Sequence, residues 1–193
     1  MNYDSDLQLD ERDAAVEVFR RQKALAEHCL HQVSDAQFFR RPAPHLNSLA
    51  ILVQHLTGNM ESRWSDFGLM MRGVADGEKA HRDRDAELRD PAVSATIRAE
   101  LMERWQRGWA LVFDVLTSFT REDLDRTVRI RGATHSVHLA VLRQIDHYGH
   151  HVGQIAFISR HLAGAEEWDF FTIPPGESKS YNRMVRKKND HDA

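Results

Sequence analysis

The run Arg143-Gln144-Ile145-Asp146-His147-Tyr148-Gly149-His150-His151-Val152-Gly153-Gln154-Ile155 decides how this chain is read. Around it Leu142, Ile145, Gly149, Val152 and Ala156 recur at the spacing of one helix face. His147 and His151 are then i and i+4, stacked one above the other on a single side. Two imidazoles placed in this way can both reach one metal ion. A third, His55, lies in an earlier run of helical period, Leu49-Ala50-Ile51-Leu52-Val53-Gln54-His55-Leu56-Thr57-Gly58-Asn59-Met60. Three neutral imidazoles from two helices leave a divalent ion with an open position for water or substrate.

At about 100° per residue, His147, His151 and Gln154 fall opposite the apolar stripe, with Arg143 and Gln144. Such a side is either a solvated face or the wall of a pocket. Ile158 and Leu162 fall on it too, which does not suit a face meant only for water. Gly149 and Gly153 allow another helix to approach the apolar side closely. The earlier run repeats the pattern. Leu49, Val53, Leu56, Met60, Trp64 and Phe67 form its stripe, while His55, Asn59, Ser62 and Asp66 lie away from it. A pocket shared by the two helices explains both histidine sides.

Working outward, a first helix is expected from Asp10 to Val33, with Val16, Phe19, Leu25, Cys29 and Val33 inward. The second starts from an N-cap at Asn47 or Ser48 and runs to about Met70. The third follows Pro91, capped by Ser94, and ends near Thr117; Thr120 opens a single turn through Leu124. From Thr127 to Val137 apolar and basic residues alternate around Gly132, a short β-hairpin. The fourth helix spans about Ser136 to Ala163. Between the second and third helices, Gly73 to Asp90 is dense in charge and reads as a long loop, a kind often functional. A tail from about Glu166, with Trp168, Phe170 and Phe171, is expected to be ordered, and the end from about Arg186 to fray. The expected fold is all-α: a four-helix bundle in one domain, residues 1–193, with the long loop and a hairpin before the last helix.

Composition narrows the function. A formal charge of −3 argues against a nucleic-acid binder. A single cysteine, Cys29, rules out an intrachain disulfide and suits the cytoplasm. Met1-Asn2-Tyr3-Asp4-Ser5-Asp6 lacks the apolar core of a signal peptide, and no apolar run approaches the ~20 residues of a membrane span. Histidine is the odd entry: 12 copies, half of them from His135 to His161. No Gly-x-Ser-x-Gly elbow, glycine-rich phosphate loop or His-Glu-x-x-His is present.

With these residues in view, the chain resembles the DinB superfamily, the DinB/YfiT-like metalloenzymes. The marks are His55 in the second helix and His147-x-x-x-His151-Val152-Gly153-Gln154-Ile155 in the fourth, where the family shows a His-x-x-x-His followed by a Gly-Gln pair. Within it the chain is most similar to an uncharacterised subfamily. That likeness rests on Asn47-Ser48-Leu49-Ala50, Arg63-Trp64-Ser65-Asp66-Phe67, Asp76-Gly77-Glu78-Lys79, Arg82-Asp83-Arg84-Asp85 and Ile173-Pro174-Pro175-Gly176-Glu177-Ser178. The resemblance implies a four-helix bundle, commonly a homodimer, with a divalent metal on His55, His147 and His151. Some relatives are thiol-dependent transferases or isomerases that use low-molecular-weight bacterial thiols.

Two functions follow as expectations. In the first, the ion lowers the pKa of bound water or thiol and polarises an electrophile. The protein is then a thiol-dependent transferase or metal-assisted hydrolase acting on a small molecule. Its cofactors are a divalent metal, zinc or nickel first with iron or copper also suited, and a low-molecular-weight thiol. Asn59, Asp66, Asp146 and Gln154 are candidates for orienting the ligands. Arg63 and the charged blocks from Asp76 to Glu87 can gate the mouth and hold a carboxylate. His135 is either at the pocket mouth or on the surface. In the second, the chain is a non-catalytic metal- or ligand-binding protein linked to stress. Neither involves nucleic acid or a membrane.

Overall fold

The structure is a computed structural model that describes residues 11–79, 82–164 and 168–192. Expectations placed on Met1–Asp6, Asp10 and Glu166 lie outside these residues.

Four long helices carry the fold: α1 (Glu11–His31), α3 (Leu49–Trp64), α6 (Ala95–Ser118) and α8 (Val137–Ala163). Short turns connect them: α2 (Asp35–Phe39), α4 (Phe67–Met71), α5 (Arg84–Glu87) and α7 (Arg121–Leu124). A two-stranded hairpin, β1 (Thr127–Ile130) and β2 (Ala133–Ser136), precedes α8, and α9 (Ser178–Asp192) follows it. The architecture is the all-α bundle expected, with the hairpin before its last long helix. No helix among the described residues is long and apolar enough to cross a membrane.

Local chemistry sets the helix starts. The hydroxyls of Ser48, Ser94 and Ser136 accept from the backbone N–H of Ile51, Ile97 and Leu139. Each satisfies one of the amides that a helix N-terminus leaves unpaired. Ser34 and Gln37 close a reciprocal capping box on α2. The second helix does not run to Met70. Ser65 turns its hydroxyl back onto the Glu61 carbonyl at 2.6 Å, and Asp66 takes a left-handed conformation with φ 57°. Aspartate tolerates that conformation better than most residues, so the helix ends at Trp64 and restarts as α4. The tail carries α9, helical from Ser178 to Asp192. No glycine or proline interrupts the sequence from Glu177 onward to break it.

α1 packs mainly against α8 and α6, and α3 against α6 and α8. At the centre each long helix supplies one ring: Phe19, Trp64, Trp109 and Tyr148, all essentially unexposed. Phe19 meets Trp64 and Trp109 edge-on at 6.1 Å, and Trp109 meets Tyr148 at 5.6 Å. Such pairs contribute roughly 0.5–1.5 kcal/mol each beyond area burial. The inward face of α8 is accordingly Val141, Gln144, Tyr148, Val152 and Ile155. This corrects the stripe read from sequence: Leu142 is 49% exposed, whereas Gln144 and Tyr148 are buried. The tyrosine can face inward because its hydroxyl has a partner there, the Trp64 indole. Gly149 does lie close to α1, since a Cβ there would stand 3.1 Å from the Gln22 side-chain nitrogen, but Gly153 faces open space.

Candidate metal centre

α3 is buried on nearly every side, and His55 on it is only 7% exposed. On α8 the buried Tyr148 fixes the rotation of the helix, which sets its neighbours His147 and His151 on the shoulder facing α3. The three rings converge. Ring centres are 5.5 Å apart for His55 and His147, 5.0 Å for His55 and His151, and 4.7 Å for His147 and His151. One nitrogen from each lies within 4.8 Å of the other two, so the group could hold a metal ion.

The chemistry of the donors fits an ion. Burial pushes His147 down to about 3, helped by its neighbours His151 and His55 and the charges of Arg82 and Arg63. Burial also lowers His151, against a hydrogen bond to Gln154 that raises it. Both are therefore neutral at pH 7, the form in which imidazole binds metal. The Nδ1 atom of His147 is buried without a hydrogen-bond partner among the described residues, as are Asn59 Oδ1 and Gln144 Oε1. Buried polar atoms left without partners need an explanation, and a bound ion with its water is one that suits this set.

The structure separates the other candidate residues. Gln154 accepts from His151 Nδ1 at 2.8 Å, which fixes the tautomer and leaves Nε2 without a proton, able to bind an ion. Asn59 is buried one helical turn past His55. Arg63 is buried against Glu78 at 2.9 Å and donates to the Gly77 carbonyl. Asp66 is exposed, pairs with Lys79 at 3.4 Å and heads α4. Asp146 is exposed on α8; one residue of helix turns it about 100° away from His147. Neither aspartate belongs to the centre. His135 sits on β2 with its ring 3.3 Å from an Arg143 nitrogen.

Residues outside the sequence reading complete the surroundings. The segment after α4 folds over α3 and brings Glu87 to His55, with Oε2 3.3 Å from Nδ1. Arg82 grips the same carboxylate with two bonds of 2.8 and 2.7 Å. Burial would raise the Glu87 carboxyl, but the hydrogen bonds and charges of Arg82 and His55 bring it down to about 2. Gly58 makes the room: a Cβ there would stand 2.2 Å from Glu87 Oε1. The segment is anchored at its start too, where Asp76 accepts from the backbone of Arg131 and Gly132 in the hairpin turn, both at 2.8 Å. Sequence marked this stretch as charged but could not say which acid meets which histidine. A glycine in mid-helix three residues past His55 was the available signal.

Two clefts flank the centre. One of about 500 Å³ is lined by Gln54, Gly58, Lys79, Arg82, Glu87 and Arg104. The other, about 600 Å³, is lined by His45, Leu46, Leu52, His150, Gln154 and Phe157.

The comparisons with known proteins can be set against this geometry. Residues 10–177 match the family model described as protein of unknown function DUF1572. The chain belongs to that family. The family falls in the DinB-like fold group. No curated protein matches the chain. Among solved structures, the chain is similar to one described as the conserved protein of locus from Enterococcus faecalis. The TM-score is 0.63 at 17% identity, covering 81% of this chain and 99% of that one. At that identity the likeness concerns the fold.

Proposed function

We propose that this DUF1572 member holds a divalent ion on His55, His147 and His151 and uses it on a small molecule. Zinc or nickel is the first choice, iron or copper the next. The observation that carries the reading is the convergence of three imidazoles, two of them held neutral, beside buried polar atoms that lack partners. When bound, the ion would supply a Lewis acid that lowers the pKa of a coordinated thiol or water.

Between transfer to a thiol and hydrolysis, the surroundings favour transfer. Hydrolysis calls for a general base with a pKa near the working pH. Glu87, the carboxylate in contact with the triad, is gripped by Arg82 and brought down to about 2. It is a poor proton acceptor. The chain's own thiol, Cys29, is buried with its pKa pushed up to about 11, so a nucleophilic thiol would come from outside. In this reading the thiol and an electrophile enter by the cleft that Gln154 lines, beside the residue that orients His151. A homodimer belongs to the same reading; exposed Val18, Leu139 and Leu142 on α1 and α8 suit its face.

The test is metal content of the purified protein by mass spectrometry, with thiol consumption against a panel of small electrophiles. About one ion per chain and metal-dependent thiol loss are expected. Absence of metal after incubation with zinc and nickel would overturn the reading. Metal without turnover would leave the non-catalytic binding protein.

A further inference from the structure

We infer that Glu87 is a positioning residue for the metal ligand His55: its carboxylate accepts from the Nδ1–H of His55, keeps the proton on that nitrogen and so presents Nε2 to the ion, with Gly58 and Arg82 holding it there. The inference rests on the metal reading above and assigns the parts around it.

Three observations carry it. First, the two groups are in contact at 3.3 Å with side chains only 8% and 10% exposed, and Nδ1, which makes no hydrogen bond to any described residue, has this carboxylate oxygen facing it. An acceptor that close to a buried ring N–H decides which nitrogen keeps the proton. Second, the carboxylate is not free to swing, because the Arg82 fork takes both of its oxygens. Third, α3 carries a notch for it, since any side chain at position 58 would collide with Glu87 Oε1 and Cδ, at 2.2 and 2.5 Å from a Cβ. A glycine in mid-helix weakens the helix, and the seated carboxylate is what occupies the space it leaves. Separate from these is Gln54, next to His55 on α3: it donates to the backbone carbonyls of Ala86 and Glu87 at 3.1 and 2.9 Å and so holds the α5 backbone, not the carboxylate.

The result mirrors the other helix. On α8, Gln154 Oε1 accepts from the Nδ1–H of His151; on α3, the Glu87 carboxylate faces Nδ1 of His55 in the same role. An amide and a carboxylate thus present two rings in the same tautomer. A carboxylate behind a metal-bound imidazole makes the ring a better donor and fixes its plane, and removing such a partner typically costs 10–100-fold in metal affinity.

A purely structural alternative has Glu87 and Arg82 pinning the segment onto α3 and nothing more. The experiment separates the two. Zinc affinity by chelator competition and the histidine tautomers by nitrogen NMR of the metal-free protein are measured for the parent, Glu87→Ala, Glu87→Gln and Gln54→Ala. Glu87→Gln keeps the shape in the Gly58 notch if truncation unfolds the segment. Gln54→Ala loosens α5 while leaving the carboxylate in place. The expected result is an Nδ1–H tautomer for His55 in the parent and its loss in Glu87→Ala. Zinc affinity should fall about 10–100-fold in Glu87→Ala, less in Glu87→Gln, and little in Gln54→Ala. An unchanged tautomer and affinity in Glu87→Ala, an Nε2–H tautomer in the parent, or an equal loss in Gln54→Ala would overturn the inference. Failure of the metal reading is distinct: the parent would bind no zinc, while its tautomer would still decide the pairing with Glu87.

Discussion

The Trp64 indole donates to the Tyr148 hydroxyl at 2.9 Å, inside the bundle and with both side chains shut off from water. This bond ties α3 to α8 on the helices that bear the three histidines, and Tyr148 directly follows one of them in sequence. Tyr148→Phe keeps the ring contacts but strands the indole N–H. Leaving a buried donor unpaired costs about 1–3 kcal/mol, and urea unfolding of the variant should show a loss of that size. Unchanged stability would mean that the bond contributes nothing net.

His147→Ala takes away a ligand and leaves the four-ring core intact. Metal uptake should collapse while helical content and cooperative melting persist, read from elemental analysis and circular dichroism on one preparation. Full metal occupancy in the variant would remove His147 from the site.

Cys29 should be silent toward thiol reagents in the folded protein. Its pKa of about 11 leaves only about one thiolate in a thousand at pH 8, and the side chain is 1% exposed besides. Colour development with a disulfide reagent should be slow in buffer and complete in urea. Rapid reaction in buffer would show that α1 opens readily.

Asp76 makes the fold sensitive to acid. Burial works against its charge, but the backbone N–H groups of Glu78, Gly132 and Arg131 and the charge of Arg129 hold its carboxyl below the usual range. A depressed folded value stabilises the protein above the unfolded pKa of about 3.9 and is lost as pH falls through the lower one. Asp76→Asn should therefore melt lower than the parent at pH 7, with the gap narrowing as pH drops below about 4. A gap that widens in acid would reverse the assignment.

What could be read from the sequence followed from short-range geometry. Ser48, Ser94 and Ser136 announce helix starts because a cap acts within three residues. His147 and His151 share a side because helix pitch fixes i and i+4. The kink at Asp66 was hidden because Trp64 and Phe67 continue the apolar stripe across it, their rings stacked at 5.4 Å. The stripe of α8 was misplaced because Gln144 was set on the polar side and Tyr148 left off the stripe, although Tyr148 pairs with Trp64 and Gln144 is buried. Glu87 stayed out of view for another reason: no local period links a residue in a charged connection to His55. Only the notch at Gly58 and the grip of Arg82 decide which acid arrives.

Phe19, Trp64, Trp109 and Tyr148 join the four long helices, and none of the three histidines is among them. Scaffold and chemistry therefore rest on different side chains, even where they are adjacent in the chain. A descendant that lost its imidazoles would still fold, and one that kept them could change its walls without endangering the interior. Selection can discard or recast such a site in a lineage while the bundle endures.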